Sequence, residues 1–384
     1  MIARRTLFAA AAVALVMELT ACGGAGNGAT GAAPEKIVIG GLWAMSGPSA
    51  AYGDWYSNGA NLAVKEINDA GGLNGKTKIE LKIEDTQAQA DTAVTALQRL
   101  IGEDVRFVES AFSSQTLALM PIANQRKIPV MNGGAQSPLL AKTGDFLFND
   151  IPLIYKESAI LGKYLHSGAK LSKAAVLHTS DDGGVAAYEA FKQSYEADGG
   201  QVVAVESGKY QGTDYRSQLT KLKGSGADVL VIGAFGQDSN NIISQAREIG
   251  WNVQMANTSW VSIPDVLANP AAEGLIHTSI PFTPTAKFAA SYKAAYGKEP
   301  TTGYIGNYYD GIKVWAAAYE KASQGGSIDP DGTAVMKALH EIKTFDSSYG
   351  SELSFDDKGV ADRPISISKI SGGASAVFLE NYAG

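Results

Sequence analysis

From Ile37 onward the chain alternates short apolar runs with stretches whose apolar positions recur every three or four residues. Ile37–Leu42 is a β-rich run, and after a Ser-Gly-Pro loop Asn58–Asn68 carries Leu62, Ala63 and Ile67 at helical spacing. Ile79–Glu84 alternates as a strand, Thr92–Ile101 reads as a helix, Phe107–Val108 as a short strand and Leu117–Asn124 as a helix. The pattern restarts after Asp150-Ile151-Pro152. It predicts helix Tyr155–His166, strand Ala174–Leu177, helix Ala186–Ala197, strand Val202–Val205, helix Tyr215–Leu222, strand Val229–Ile232 and helix Asn240–Ile249. Repeated βα units imply parallel sheets covered by helices on both faces, here an α/β chain of two doubly wound lobes. Helices Lys287–Tyr296, Gly306–Ser323 and Thr333–His340, with strands near Leu353 and over Ile365–Ile370, are too few for a third domain. They are expected to complete the two lobes through crossing segments.

Open α/β sheets bind ligands beyond the carboxyl ends of their strands. That directs attention to the loops after Trp43, Glu109, Met131, His178, Gly233 and Ala256, which are small, hydroxylic or aromatic more than catalytic. Composition narrows the chemistry further. The 384 residues are 45% hydrophobic and carry a net charge of −7, which excludes a disordered chain and argues against nucleic acid as a partner. One cysteine forms no internal disulfide, and His166, His178, His277 and His340 are scattered without a metal-binding spacing, so neither metal nor cofactor is expected.

The lone cysteine has its explanation at the N-terminus. Arg4 and Arg5 precede an apolar run, Leu7–Met17, too short to cross a bilayer core of roughly 30 Å as a helix, so residues 1–21 read as a signal peptide. Leu19-Thr20-Ala21-Cys22 resembles the lipobox of bacterial lipoproteins, which implies cleavage before Cys22 and a diacylglycerol on its thiol. Loss of Arg4, Arg5 and Glu18 with the leader takes the net charge from −7 to −8. Residues 22–34, rich in Gly and Ala and without apolar periodicity, are expected to tether lipid to folded body, the only membrane contact foreseen. The formal GxGxxG at 26–31 lies inside this tract, with neither the strand nor the helix that a dinucleotide fingerprint requires.

Other motifs dissolve in the same way. Ala70–Thr77 looks like a phosphate loop, but a helix precedes it and a strand follows, so no helix N-terminus points at the loop. No GxSxG elbow occurs. His178 ends a strand and has no nucleophile nearby in sequence, so a structural imidazole is favoured over a base. Asp181-Asp182 reads as a solvated helix entry, because adjacent side chains diverge. Asn257-Thr258-Ser259 is a formal glycosylation acceptor of little weight beside a bacterial lipobox. No catalytic set assembles, and an enzyme is not expected.

Ile39–Pro48, Ala51-Tyr52-Gly53 and Glu66–Gly75 together resemble the opening of the branched-chain amino-acid binding proteins of ABC importers, type I periplasmic binding proteins. Ser113-Ser114, Ile128-Pro129-Val130, Asp214-Tyr215, Gln245–Gly250, Ala272–Leu275, Tyr292–Tyr296 and Ser354-Phe355-Asp356 continue the resemblance in family order over nearly all of 36–384. It implies two lobes joined by three crossings, the first from 35–150 and 281–345, the second from 151–280 and 346–384. Hinges then fall near Ile151-Pro152, Ile280-Pro281 and Tyr349-Gly350. The family mechanism is lobe closure on a small solute that is passed to a membrane permease with its ATPase. An alternative within the same resemblance is a receptor that senses amides or similar solutes.

By that resemblance the serine that binds the solute's carboxylate falls on Ser113, and an Ala/Thr pair falls on Gly134 and Gln136. Uncommitted amides around Gly134 suit an anion, and Gln136 offers a donor and an acceptor. A family tyrosine falls on Gly183, and the acid that pairs with an α-ammonium falls near Ser259, followed by Trp260. Losing that acid removes the partner a buried ammonium needs, so the implied ligand widens from amino acids to other small carboxylates, aromatic acids included. Trp43, Tyr52, Phe235 and Trp260 are the rings expected to line the cleft, with Phe112 a weaker candidate. Trp55, Tyr56, Trp251 and Trp315 are assigned to packing.

Overall fold

The structure is a computed structural model that describes residues 31–47 and 49–383; the leader, Cys22 and the tether up to residue 30 lie outside them. Five strands, β1 (Lys36–Trp43), β2 (Lys78–Asp85), β3 (Val105–Ser110), β4 (Val130–Asn132) and β5 (Leu147–Asn149), form an all-parallel sheet in the order β2-β1-β3-β4-β5. Helices α1 (Gly53–Asp69), α2 (Ala90–Gly102) and α3 (Ser113–Arg126) connect its first four strands. A second sheet has the order β14-β13-β10-β9-β8-β6-β7. Its parallel part comprises β6 (Lys173–Thr179), β7 (Gln201–Gly208), β8 (Val229–Gly233), β9 (Gln254–Asn257) and β10 (Ile276–Ser279). Around it run α4 (Ile154–Lys163), α5 (Asp182–Ala197), α6 (Arg216–Lys223), α7 (Gly236–Glu248) and the short α8 (Pro264–Leu267). Helices α9 (Ala286–Tyr296), α10 (Gly303–Ala322) and α11 (Gly332–Glu341) return to the first lobe, followed by the antiparallel pair β11 (Phe345–Asp346) and β12 (Glu352–Leu353). Antiparallel β13 (Ser366–Ser371) and β14 (Ala374–Leu379) then complete the second sheet.

Each sheet lies between two apolar clusters, as helices on both faces require. In the first lobe one cluster gathers Ile37, Phe107, Trp315 and Leu339, and the other Leu97, Val108, Leu119 and Val130. In the second, Leu230, Ile242 and Met255 oppose Val176, Phe191 and Val231. Helix α1 packs directly on α10 because residue 59 is glycine: a Cβ there would stand 2.2 Å from the Ile305 carbonyl oxygen.

The strands and helices read from periodicity are present, mostly longer than their apolar cores. Strands β5, β10, β11 and β14 are additions, and β4 and β9 were foreseen only by the loops that follow them; all but β14 are four residues or shorter, below the length at which alternation is readable. The boundary expected between 345 and 346 moves. Leu353 and Ala361 are fully buried in the first lobe's core, and Asn149 pairs with Val360 as an isolated bridge, so the chain crosses after Ala361 rather than at Tyr349-Gly350. There Arg363, buried, pairs with Asp150 beyond β5 (Nη2–Oδ1 2.5 Å) and with Asp310 of α10 (3.3 Å), while its guanidinium lies over the Tyr349 ring. One cation thereby ties two crossing segments to a helix of the first lobe.

Glu109 on β3 is fully enclosed, and neither carboxylate oxygen has a hydrogen-bond partner among the described residues. Burial, then the nearby Asp150 charge, pushes its carboxyl well above the ordinary range. An acid whose folded-state pKa is raised supports folding at low pH, and that support is lost as pH rises from the unfolded carboxylate value toward the folded one. Urea midpoints measured at pH 5 and pH 9 should therefore fall more for the wild type than for Glu109→Gln, whose isosteric amide does not ionise; equal falls would show that Glu109 does not titrate with folding.

Candidate functional site

The carboxyl ends of the two sheets' strands come together. From the first lobe come the turn into α3, with Phe112 at φ +63° and ψ 135°, and the loop after β4. That positive φ on a bulky residue marks local strain of the kind that accumulates at binding sites. Ser113 opens α3; its hydroxyl oxygen accepts the Ser137 N–H (3.2 Å), which leaves its own proton to donate. The first turn of α3 also presents N–H groups without intrahelical partners.

The loop after β4 departs from expectation. Asn132 is fully buried, and its Oδ1 accepts the N–H of Gly134 (3.2 Å) and of Ala135 (2.7 Å), while its Nδ2 donates to the Ala135 carbonyl and to Asn149 Oδ1. The amides around Gly134 are thus spent on holding their own loop, not free for an anion. Gln136 is committed too. Its Nε2 donates to the Pro152 carbonyl (2.9 Å) and to Glu157 Oε1 (2.6 Å), and its Oε1 accepts the Trp260 indole N–H (2.6 Å). Rather than facing a solute, Gln136 joins the first lobe to the first crossing and to the second lobe.

Glu157, in the first turn of α4, is the residue sequence reasoning missed. Its carboxylate is fully buried and receives four hydrogen bonds: Gln136 Nε2 (2.6 Å) and Ser259 Oγ (2.9 Å) on Oε1, Ser259 N (2.9 Å) and Thr278 Oγ1 (2.7 Å) on Oε2. An acid in the first turn of a helix already has an ordinary explanation in the helix dipole, so nothing local set it apart. Ser259 is accordingly occupied with Glu157 through both N–H and hydroxyl.

The rings divide. Trp43 is fully buried in the first lobe's core, edge-on to Tyr308 (centroids 5.6 Å), so its place is core packing and not the gap between lobes. Tyr52 does reach across: its ring lies 5.9 Å from Phe235 of the second lobe and 5.9 Å from Phe112. Burial, followed by the charges of Asp265 and Tyr210, pushes the Tyr52 hydroxyl up to about 12, so it stays a neutral donor. Phe235 continues edge-on to Trp260 (6.1 Å). A Cβ at Gly183 would lie 3.3 Å from the Trp260 ring, so the indole fills space beside the position where the family tyrosine was expected. Gly236, at φ +58°, starts α7 beside this row and faces the Tyr52 hydroxyl. His178 hydrogen-bonds the Thr179 carbonyl through Nδ1 and stacks on Tyr188, a packed imidazole.

Two parallel α/β lobes meeting through the ends of their strands define a hinged, two-lobed binding protein. The sequence model of the family described as periplasmic binding protein matches residues 36–374, and the chain belongs to that family. It is 26% identical to the Leu/Ile/Val-binding protein homolog 3 of Brucella melitensis over 88% of this chain and 92% of that one. Among solved structures, it resembles the substrate-binding protein LivJ of Streptococcus pneumoniae, crystallised with isoleucine (TM-score 0.77, 25% identity, 90% of this chain and 99% of that one). A solute-binding protein of Rhodopseudomonas palustris, crystallised with 3,4-dihydroxy benzoic acid, shares the fold (TM-score 0.78, 24% identity, 91% and 98%).

Gln136→Leu deprives Glu157 of one donor and leaves the Trp260 N–H without an acceptor. The expected cost is about 2–4 kcal/mol in urea unfolding. An unchanged midpoint would mean that the Gln136 contacts add nothing.

Proposed function

We propose that this protein is the extracytoplasmic solute-binding component of an ABC importer of the branched-chain amino-acid type, trapping a small amino acid or carboxylate between its lobes. The observation that carries the reading is the meeting of Tyr52 with Phe235, and of Gln136 with Trp260 and Glu157, across two lobes of periplasmic binding protein fold. A solute held there touches both lobes, so its binding energy favours the closed form. Ser113 and the free N–H groups of α3 take the carboxylate; Tyr52, Phe235 and Trp260 cover the apolar part. Gly134 and Gln136 shape the pocket by fixing the loop, and Ser259 does so through Glu157. The lobes run from 35 to 150 with 281 to about 361, and from 151 to 280 with the remainder. Closure presents the loaded protein to a permease driven by its ATPase, and the diacylglyceryl thioether on Cys22 keeps that cycle at the membrane.

Purified protein, stripped of retained solute, should melt at higher temperature with at least one member of a panel of amino acids and aromatic acids; a ligand at a hundred times its Kd adds about 2.7 kcal/mol. Ser113→Ala should weaken that binding about tenfold while costing the empty protein only the Ser137 N–H bond, about 1 kcal/mol. Silence across the whole panel from folded protein would count against solute import. Separately, Cys22→Ser should move the chain from the membrane fraction to the soluble or uncleaved fraction, whereas unchanged, detergent-requiring membrane association would remove the lipid anchor.

A further inference from the structure

Resting on the solute-binding reading above, we propose that Asp181 accepts the cationic group of the trapped solute, which makes that solute a zwitterion such as an amino acid rather than a simple aromatic acid. The acids around the ring row differ in what their oxygens have left to accept. Glu157 is saturated by its four donors. Asp238 receives the Tyr215 hydroxyl on Oδ1 (2.9 Å) and the Gln211 N–H on Oδ2 (2.9 Å). Asp265 is exposed to solvent. Asp181 is the exception: its Oδ1 is buried and has no donor among the described residues, and no Lys, Arg or His pairs with it there.

Its position fits the role. Asp181 follows β6 at the carboxyl edge of the second sheet and caps α5 in sequence, yet its side chain makes no capping bond. A Cβ built at Gly183 lies 3.1 Å from Asp181 Oδ2 and 3.3 Å from the Trp260 ring, which puts the carboxylate beside the indole that Gln136 holds. The Tyr210 hydroxyl is raised by burial and then by the Asp181 and Asp238 charges, and Tyr52 in turn senses Tyr210. These rings and the carboxylate therefore share one field. A carboxylate oxygen shut away from water without a donor is costly, and a solute ammonium supplies both donor and opposite charge. Ser113 on the first lobe and Asp181 on the second then provide the two poles of a zwitterion, with the rings between them. The acid expected near Ser259 is in this way relocated from the end of β9 to the end of β6.

Calorimetry on the mature chain, stripped of retained solute, tests this with L-leucine and L-phenylalanine against 4-methylpentanoate, 3-phenylpropanoate and benzoate. The wild type should bind an amino acid more tightly than its deamino counterpart. Asp181→Asn, which keeps size and capping preference, should weaken the amino acid by about tenfold or more and leave the deamino acid unchanged. Asp181→Ser repeats the comparison should the Asn variant melt early. Binding of aromatic or aliphatic acids without any amino acid overturns the assignment and leaves solute binding standing. So does an Asn variant that binds amino acids like wild type, or one that loses both probe classes equally, which marks a structural carboxylate. Failure of every probe removes both readings.

Discussion

The carboxylate of Glu157 is the group around which the meeting of the lobes is organised. An ionised carboxylate removed from water is tolerated only when its lone pairs are matched, and here each oxygen receives two donors. Three of the four come from Ser259 and Thr278 of the second lobe, and one from Gln136 of the first. The consequence travels outward. Because Gln136 gives its amide protons to Glu157 and Pro152, its oxygen is left for the Trp260 indole. Trp260 is then fixed edge-on to Phe235, and Phe235 meets Tyr52. Orientation of the ring row thus descends from the need to satisfy one buried charge.

The two positions where the resemblance implied a tyrosine and an acid are filled by neighbours, not left as gaps. At the position where a tyrosine was expected, Gly183 admits the Trp260 ring; at the position where an acid was expected, Ser259 is itself bound to Glu157 of α4. Packed interiors make such exchanges coupled, because volume or charge removed at one site must be restored nearby.

Much of the fold was legible in the pattern of apolar positions, because βα units write two clear periods into the chain. Strands β5 and β10 were not, being too short to alternate. The third crossing was misplaced because Leu353 and Ala361 return to the first core through residues with little periodicity of their own. At the site, the loops after the strands were legible from topology, and Tyr52, Phe235 and Trp260 do line up across the lobes. Trp43 was not distinguishable from them, since a ring at a strand end can turn to either face. The commitments of Gln136 and Glu157 were invisible for a different reason: Ser259 lies 102 residues from Glu157 and Trp260 lies 124 from Gln136, and hydrogen bonds over such separations leave no local signature.

Where the polar contacts sit relative to the hinge decides how closure can work. Gln136 is bonded to the Pro152 carbonyl and, through its own carbonyl, to the Ile154 N–H, so it grips the first crossing itself. Arg363 grips the third crossing against Asp150 of the first. Groups this close to a pivot move least when lobes rotate, which lets buried charges stay paired in both states and avoids exposing them on every cycle. The Tyr52–Phe235 contact has no bond of that kind. It is apolar and ring-to-ring, worth only about 0.5–1.5 kcal/mol beyond its buried area, so it parts readily. A trap that must move from mostly open to mostly closed needs about 5.5 kcal/mol of differential affinity from its solute. Charges held at the pivot and weak rings across the gap leave that difference for the solute to supply, which is the division a ligand-gated clamshell requires.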